Sequence, residues 1–584
     1  MLSSRSRITK RFLSVTAAFL AVFHIVLSVP ACAPDSGNDS PDDVIVDAAD
    51  YTVNVYYLQN DARRAELNAA GVDYTPAYIP ALLAWLGASG TPCTAADLAN
   101  LGENDILLAN RNDLDTIPEN VGYVILLGGG DVVRAPEIVG HLLYGEERIP
   151  LFAPITAVTD AAEVLYMGEN ESGESVPAVV RQDERTYSFC FDLCATVWFS
   201  GDGFSDGEGK NGFPVGRTPD TRPVPSGMYS DQPYNDHLLL ILEDMLHSMG
   251  VPMVARLPLT EEGTYPDFAL HVGGDDDYTS TAYNLTAAKV ASKLGLPYHI
   301  NVMPQSSDFK LDKFQMEDIA ELGCELGLHT NFLEVPYTSR GQNLSVKWFK
   351  DCFGTVPVVN VNHCFIQKEM VAEKLRWLSE AGVLADNSKC GEIDPSNINA
   401  FNLCGFGFGT SFPRYTCDDT EHENQLISCM EIPINYYEPR FGGSYTDASR
   451  ILNYITGAVE EGRIAGFFVH PHYFYAGNPD TEWALSALRM AMAFWDVNGY
   501  EVCLLTIDDV ARFWDMRKDV QITAQKDGFV VDTETPMALS LPGSVTSVSV
   551  DGADGEIITR TVSGRERKYV VLPEAGQHTI TVNN

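Results

Sequence analysis

Positive charge is scarce in this sequence. Lys and Arg number 39 against 80 Asp and Glu, a net charge of −41 over 584 residues. A surface of that sign repels phosphate backbones and anionic lipid faces, which excludes nucleic acid as a partner and electrostatic binding to a membrane. Cysteines at CxxC spacing are also missing. The nearest approach is Cys190-x3-Cys194, so a zinc ribbon is excluded. No GxGxxG follows a predicted strand, and the run Gly128–Gly130 has no P-loop Lys after it, which argues against a nucleotide cradle. Beyond the first thirty or so residues no apolar run is long enough to span a bilayer.

What is present begins with a targeting segment, residues 1–32. Arg5, Arg7, Lys10 and Arg11 form a basic start, and Phe12 to Val29 an apolar run. Val29-Pro-Ala-Cys32 resembles a bacterial lipobox, with Cys32 as the lipidated residue. Ala31-Cys-Ala33 is the alternative, an ordinary cleavage site disfavoured by Pro34. Residues 33–50, rich in Asp, Ser and Pro, read as a disordered tether. The expectation is an extracellular or cell-envelope protein that touches the membrane only through a lipid anchor; the oligomeric state is not legible. Of the 12 cysteines, Cys324, Cys364 and Cys503 sit in apolar runs and read as core. Cys390, Cys404, Cys417 and Cys429 crowd one loop-rich stretch, where one or two disulfides are expected in an oxidising compartment.

The rest divides by pattern into three. Residues 51–225 alternate short apolar strands with helical stretches, as a doubly wound α/β domain does. The layout resembles a glutamine-amidotransferase domain, but no Cys or Ser with a His and Glu pair stands at a sharp strand-to-helix turn, so the domain is expected to be inactive. Pro214 to Pro225, with four prolines, reads as a linker. From 226 to 518 strands and helices alternate again, after a helix expected to be capped by Asp236, and describe a distorted (β/α)7 TIM-like barrel. Residues 519–584 carry short alternating strands with Gly, Pro and Asp turns, a small β-sandwich.

Within the barrel region polar residues recur where predicted strands end: Asp275, Asp276 and Asp277, then His329, His363, Glu431, His470, His472 and Asp508. Imidazoles and a carboxylate at such ends can hold a divalent ion with an open position, and further acids and histidines can move protons. Each also has a plainer role. A histidine at a strand end can be a hydrogen-bonded core residue, Glu431 can be half of an internal ion pair, His472 can orient its neighbour, and Asp508 or Asp509 can cap the last helix.

The stretch from Asp267 to Asp508 resembles the polysaccharide deacetylase superfamily. The residues that carry the resemblance are Asp275-Asp-Asp277, Glu321 to Thr330 with its closing Leu-His-Thr, Asp386-Asn-Ser388, Phe467-Phe-Val-His-Pro471 and Leu504 to Asp508. It implies a metal-dependent hydrolase that removes N- or O-acyl groups from a carbohydrate. Asp275 would be the general base, Asp276, His329 and His363 the ligands of a divalent ion, zinc favoured, and His470 the general acid. Asp277 replaces Asp276 if the register shifts by one. Asp277, Asn362, Glu431 and His472 would line the substrate. Two departures stand out: Leu333 where the family carries a second histidine, and Val359 to Cys364 where it carries an arginine motif. They keep two alternatives open, a barrel that binds glycan without turnover, and a glycoside hydrolase using paired carboxylates such as Glu431 and an Asp.

Overall fold

The computed structural model describes residues 54–583 except 136, 159–160, 204–231, 278–280, 304–310, 368–370, 390–402, 407–408, 444–447 and 476–479. The leader with Cys32, the tether and the proline-rich linker lie outside the described residues, as does Cys390. No described helix is long and apolar enough to cross a membrane.

The first region is a nine-stranded sheet. Five strands are parallel, in the order Thr91–Cys93, Asn54–Leu58, Asp105–Ala109, Tyr123–Leu126, Thr186–Phe189. The sheet then continues as four antiparallel strands between Gly140 and Arg181. The sequence pattern missed that antiparallel extension, whose strands are half-exposed and mixed in composition. Gly128 adopts a positive φ of 107°. A Cβ at this glycine would stand 2.4 Å from the Phe191 carbonyl, so it serves the close approach of the next turn. Asp192 fills that turn, capping the helix Leu193–Asp202 and accepting from Thr75 and Asn110.

The second region is a parallel sheet curved into a half-barrel. Its strands run Met430–Glu431, Ala385–Asp386, Val359–Asn362, Glu325–Thr330, Tyr298–Val302, Phe268–Asp275, Ile464–Phe468, Tyr436–Tyr437. Val502–Leu505 pairs with the first half of Phe268–Asp275. Among the described residues no ladder joins the two ends, so of the expected distorted (β/α)7 barrel the described residues form a curved, mainly parallel α/β half-barrel. Strands buried on both faces read as continuous apolar runs, which is why the longer ones were legible. Asp236 does not cap its helix, which begins at Tyr234. Its carboxylate reaches across to Thr410 and Ser411 instead.

The third region comprises two antiparallel sheets. One adds Met253–Val254 to Met537–Leu541, Arg565–Leu572 and Ile558–Val562; the other holds five strands between Ile522 and Asn583. Val254, Phe529, Leu539, Val570 and Ile580 share one buried cluster across them. A larger core joins all three regions, with Trp85, Leu238, Phe412, Trp514 and Tyr569 in one cluster. Cys417 and Cys429 are buried free thiols rather than disulfide partners.

His237 sits where the three regions meet. Its Nδ1 is 2.9 Å from Glu147 and its Nε2 3.6 Å from Glu461. Burial pushes the imidazole down, but the two carboxylates outweigh it and hold it up at about 9. A folded pKa above the unfolded value means the charged pair stabilises fully below about 6.5 and is lost as pH rises through about 9. The loss of melting temperature on His237→Gln should therefore be largest near pH 6 and vanish above pH 9, measured by thermal unfolding across that range.

Candidate metal centre

Strands in a parallel sheet deliver side chains of one parity to the same face, and their ends define one mouth. Phe268–Asp275 carries Asp275 to that mouth, and the chain turns directly after, with Asp277 in the left-handed region at φ 40°. Glycines allow the approach: a Cβ at Gly274 would lie 2.0 Å from the Val469 carbonyl. Two strands along the sheet, beyond Tyr298–Val302, the strand Glu325–Thr330 ends with His329-Thr330, and the next passes through Asn362 into a tight turn that starts at His363. From the opposite flank, Ile464–Phe468 leads to His470.

These side chains converge on the Asp277 carboxylate. Its Oδ1 lies 3.3 Å from His329 Nε2 and 3.1 Å from His363 Nδ1, and those two nitrogens are 3.2 Å apart. Its Oδ2 is 3.0 Å from His470 Nε2. Two donors bound to one zinc-like ion at about 2.1 Å and a tetrahedral angle are about 3.4 Å apart. The triangle of Asp277, His329 and His363 has edges of that length, and its donor set of two imidazoles and one carboxylate suits a divalent ion with an open fourth position. His329 Nδ1 donates to the Val361 carbonyl at 3.1 Å, which leaves Nε2 with its lone pair turned toward the triangle.

The three aspartates face different partners. Asp276 accepts from the Met303 amide at 3.4 Å and faces Asn284 at 3.5 Å. Asp277, rather than Asp276, stands within hydrogen-bond distance of His329, His363 and His470. Asp275 is buried, accepts from Asn301 Nδ2 at 3.0 Å, and lies 3.4 Å from His329 Nδ1. Burial raises the pKa of Asp275 and brings Asp276 to about 7. For Asp277 burial acts the same way, but His470, His329 and His363 outweigh it and hold the carboxylate well below its usual range.

Other expected residues fall elsewhere. Asn362 is fully buried, donating to the Ile366 carbonyl at 2.8 Å and accepting from Asn360, so it braces the turn that carries His363 instead of lining a substrate. Glu431 is buried against Lys374 and accepts from the Lys389 amide at 3.1 Å, an internal ion-pair role. Burial raises its pKa to about 7. Asp386 is held by Lys374 and Asn360. Leu333 is 54% exposed and contributes no ligand. His472 packs beside His470, with ring centroids 5.3 Å apart, and burial followed by the His470 charge lowers it to about 4. Asp508 does not cap its helix; Thr506 does, with Asp509 completing the box.

One residue was not expected. Glu438 Oε1 is 2.5 Å from His470 Nδ1, and its other oxygen accepts from Arg440 at 2.9 Å. Burial lowers the His470 pKa, but Asp277 and Glu438 outweigh it and raise it well above the ordinary value. Only a lone acid after a two-residue strand marked Glu438 in the sequence.

No family model matches the chain, and no curated protein matches it. Among solved structures it is similar to a putative polysaccharide deacetylase from Mycobacterium smegmatis, at 16% identity and a TM-score of 0.31, over 45% of this chain and 96% of that one. A family 4 acetyl xylan esterase from Clostridium thermocellum in complex with a cobalt ion matches at 12% identity and 0.24, over 42% and 91%. The catalytic domain of a peptidoglycan N-acetylglucosamine deacetylase from Eubacterium rectale matches at 9% and 0.22, over 41% and 89%. Such scores carry no argument about this chain, so the site stands on its own geometry. The glutamine-amidotransferase-like reading of the first region finds no support.

If Asp277 is the carboxylate ligand, Asp277→Asn and His363→Ala should each lower zinc affinity by more than about tenfold, while Asp276→Asn should leave it within about twofold. Equilibrium dialysis with zinc measures this, and a large loss in Asp276→Asn alone would return the ligand role to that residue.

Proposed function

We propose that this chain is a hydrolase that removes an N- or O-acyl group from a carbohydrate, with a divalent ion, zinc favoured, held by Asp277, His329 and His363. The observation that carries the reading is the triangle of ligand atoms at 3.1–3.3 Å with His470 on its flank. The carbohydrate half of the reading rests on the motif resemblance around Asp275–Asp277, Glu321–Thr330 and Phe467–Pro471.

An ion in that triangle supplies Lewis acidity toward an acyl carbonyl and makes water acidic enough to deprotonate near neutrality. Asp275 is placed to receive that proton. It is the second carboxylate of the group formed with Asp277 and His470, and Asn301 fixes its orientation. His470 is placed to deliver a proton to the departing nitrogen or oxygen, because its Nε2 faces the site while Glu438 holds Nδ1. The Glu438–His470 pair keeps the imidazole charged until a leaving group takes the proton from Nε2. Burial of Asp275, His329 and His470 strengthens their interactions, since little water screens them. We further propose that the enzyme works at the cell envelope, tethered through Cys32, where glycans are at hand.

Acetate release from acetylated xylan and chito-oligosaccharides tests the reaction. Chelation should abolish turnover and zinc should restore it. His470→Ala should lower kcat by about 10²–10⁴-fold with the ion retained. Glycan binding with unchanged acetyl content and no bound ion would establish a binding-only protein instead, the reading that Leu333 favours. New reducing ends without acetate would establish a glycoside hydrolase.

A further inference from the structure

A second polar cluster lies deeper in the same sheet, and the reaction does not use it. His299, the second residue of Tyr298–Val302, stands in register with Glu325, the first residue of the neighbouring strand. Asp508 comes up beside them from the first turn of the last helix, Ile507–Arg517. Glu325 and His329 are four residues apart on one strand, about 13 Å at ~3.3 Å per residue, so this cluster is separate from the mouth.

Its donors are not used up by the protein. His299 is fully buried, and neither ring nitrogen makes a well-formed hydrogen bond. Asp508 is 5% exposed, and its Oδ1 has no hydrogen-bond partner. That oxygen lies 3.6 Å from His299 Nδ1, long for a hydrogen bond and close to the spacing of two ligands on one ion. Glu325 offers its carboxylate within the same 4.8 Å group, with Oε2 steadied by Thr506 Oγ1 at 2.6 Å. Arg512 approaches only the other oxygen of Asp508, at 3.5 Å. Gly327 makes the room, since a Cβ there would stand 2.3 Å from His299 Nε2. Asn301 approaches the His299 ring, so a proton shared by Glu325 and Asp508 would still leave Nδ1 without a partner, whereas one cation would satisfy Nδ1 and both acids. The trio Asp418, Asp419 and His422 differs, because Arg376 already fills it.

We propose that His299, Glu325 and Asp508 form a second, structural site for a divalent transition-metal ion at the floor of the sheet, tying the last helix to two inner strands. The donor set of one imidazole and two carboxylates suits zinc, manganese or iron(II).

Zinc content of the full-length protein, stripped with chelator and reloaded, tests this. The wild type should take up two equivalents, and Asp508→Asn and His299→Gln one each. Asp277→Asn should also take up one, by losing the ion at the mouth. A wild type whose only ion is the one that Asp277→Asn removes would overturn the floor site. A single ion kept by Asp277→Asn and lost by Asp508→Asn would support the floor site and overturn the mouth. In case the floor variants fail to fold, the melting temperature of Asp277→Asn should rise when zinc is added after chelation, and an unchanged value would overturn the proposal.

Discussion

The strand Phe268–Asp275 is hydrogen-bonded along one edge to Ile464–Phe468, and along the other to Tyr298–Val302 above and Val502–Leu505 below. A strand clamped this way cannot slip, because moving by one residue would turn its buried parity to the other face and break three ladders at once. That constraint sets where the chain leaves the sheet. It fixes Asp275 level with Asn301 and lets Asp277 swing over the mouth at positive φ. The glycines of this strand have their use here, since the Val469 carbonyl and Ile507 occupy the space that side chains on Gly274 and Gly273 would need.

Around Asp277 the protein has assembled three imidazoles and one carboxylate in a buried space, an arrangement that is stable only with compensating positive charge. In its absence His363 and His470 supply that charge as bound protons. Burial lowers the His363 pKa, but its contact with Asp277 outweighs this and lifts it to about 10. A divalent ion would compete with those protons, so its affinity for the proposed centre would depend on pH. The surrounding side chains hold geometry: Asn362 braces the His363 turn, Val361 sets the His329 tautomer, and Glu438 aims His470.

Much of this was legible from strand ends. His329, His363 and His470 all follow apolar runs of strand length, and each arrives at the mouth because parallel strands share one C-terminal edge. The aspartate register was not legible, because three adjacent acids give no signal of which one the turn will aim inward; that depends on a single backbone torsion at Asp277. Glu438 was hidden because its strand is only two residues long and has no periodicity to read. Asp236 and Asp508 misled for a common reason. An acid near a helix start predicts a cap, but both are pulled into long-range contacts, with Thr410 and Ser411 in one case and His299 in the other. The antiparallel half of the first sheet was lost because its strands are neither cleanly alternating nor continuously apolar.

The first region, read from sequence as a separate and inactive domain, has a physical task in this arrangement. One side of the parallel sheet is Ala385–Asp386 and Met430–Glu431, two strands of two residues with few ladder bonds to hold them. The end of the helix Leu193–Asp202 is set against them. Lys389 donates to the Gly201 carbonyl, Arg414 pairs with Asp202 at 2.8 Å, and Thr416 donates to the same carboxylate at 2.7 Å. Arg517 does similar work on another side. It is buried and donates to the carbonyls of Ala84, Trp85, Val254 and Ala255, closing the helix Ile79–Leu86 against the last barrel helix and the edge of the third region. Gly87 makes this closure possible, because a Cβ there would stand 2.3 Å from the Val254 carbonyl. Removing the first region would therefore strip hydrogen-bond partners from buried cations in the second, and leaving such groups unpaired costs more than the loss of packing alone. The half-barrel draws on that support because, among the described residues, no ladder between its own end strands closes it.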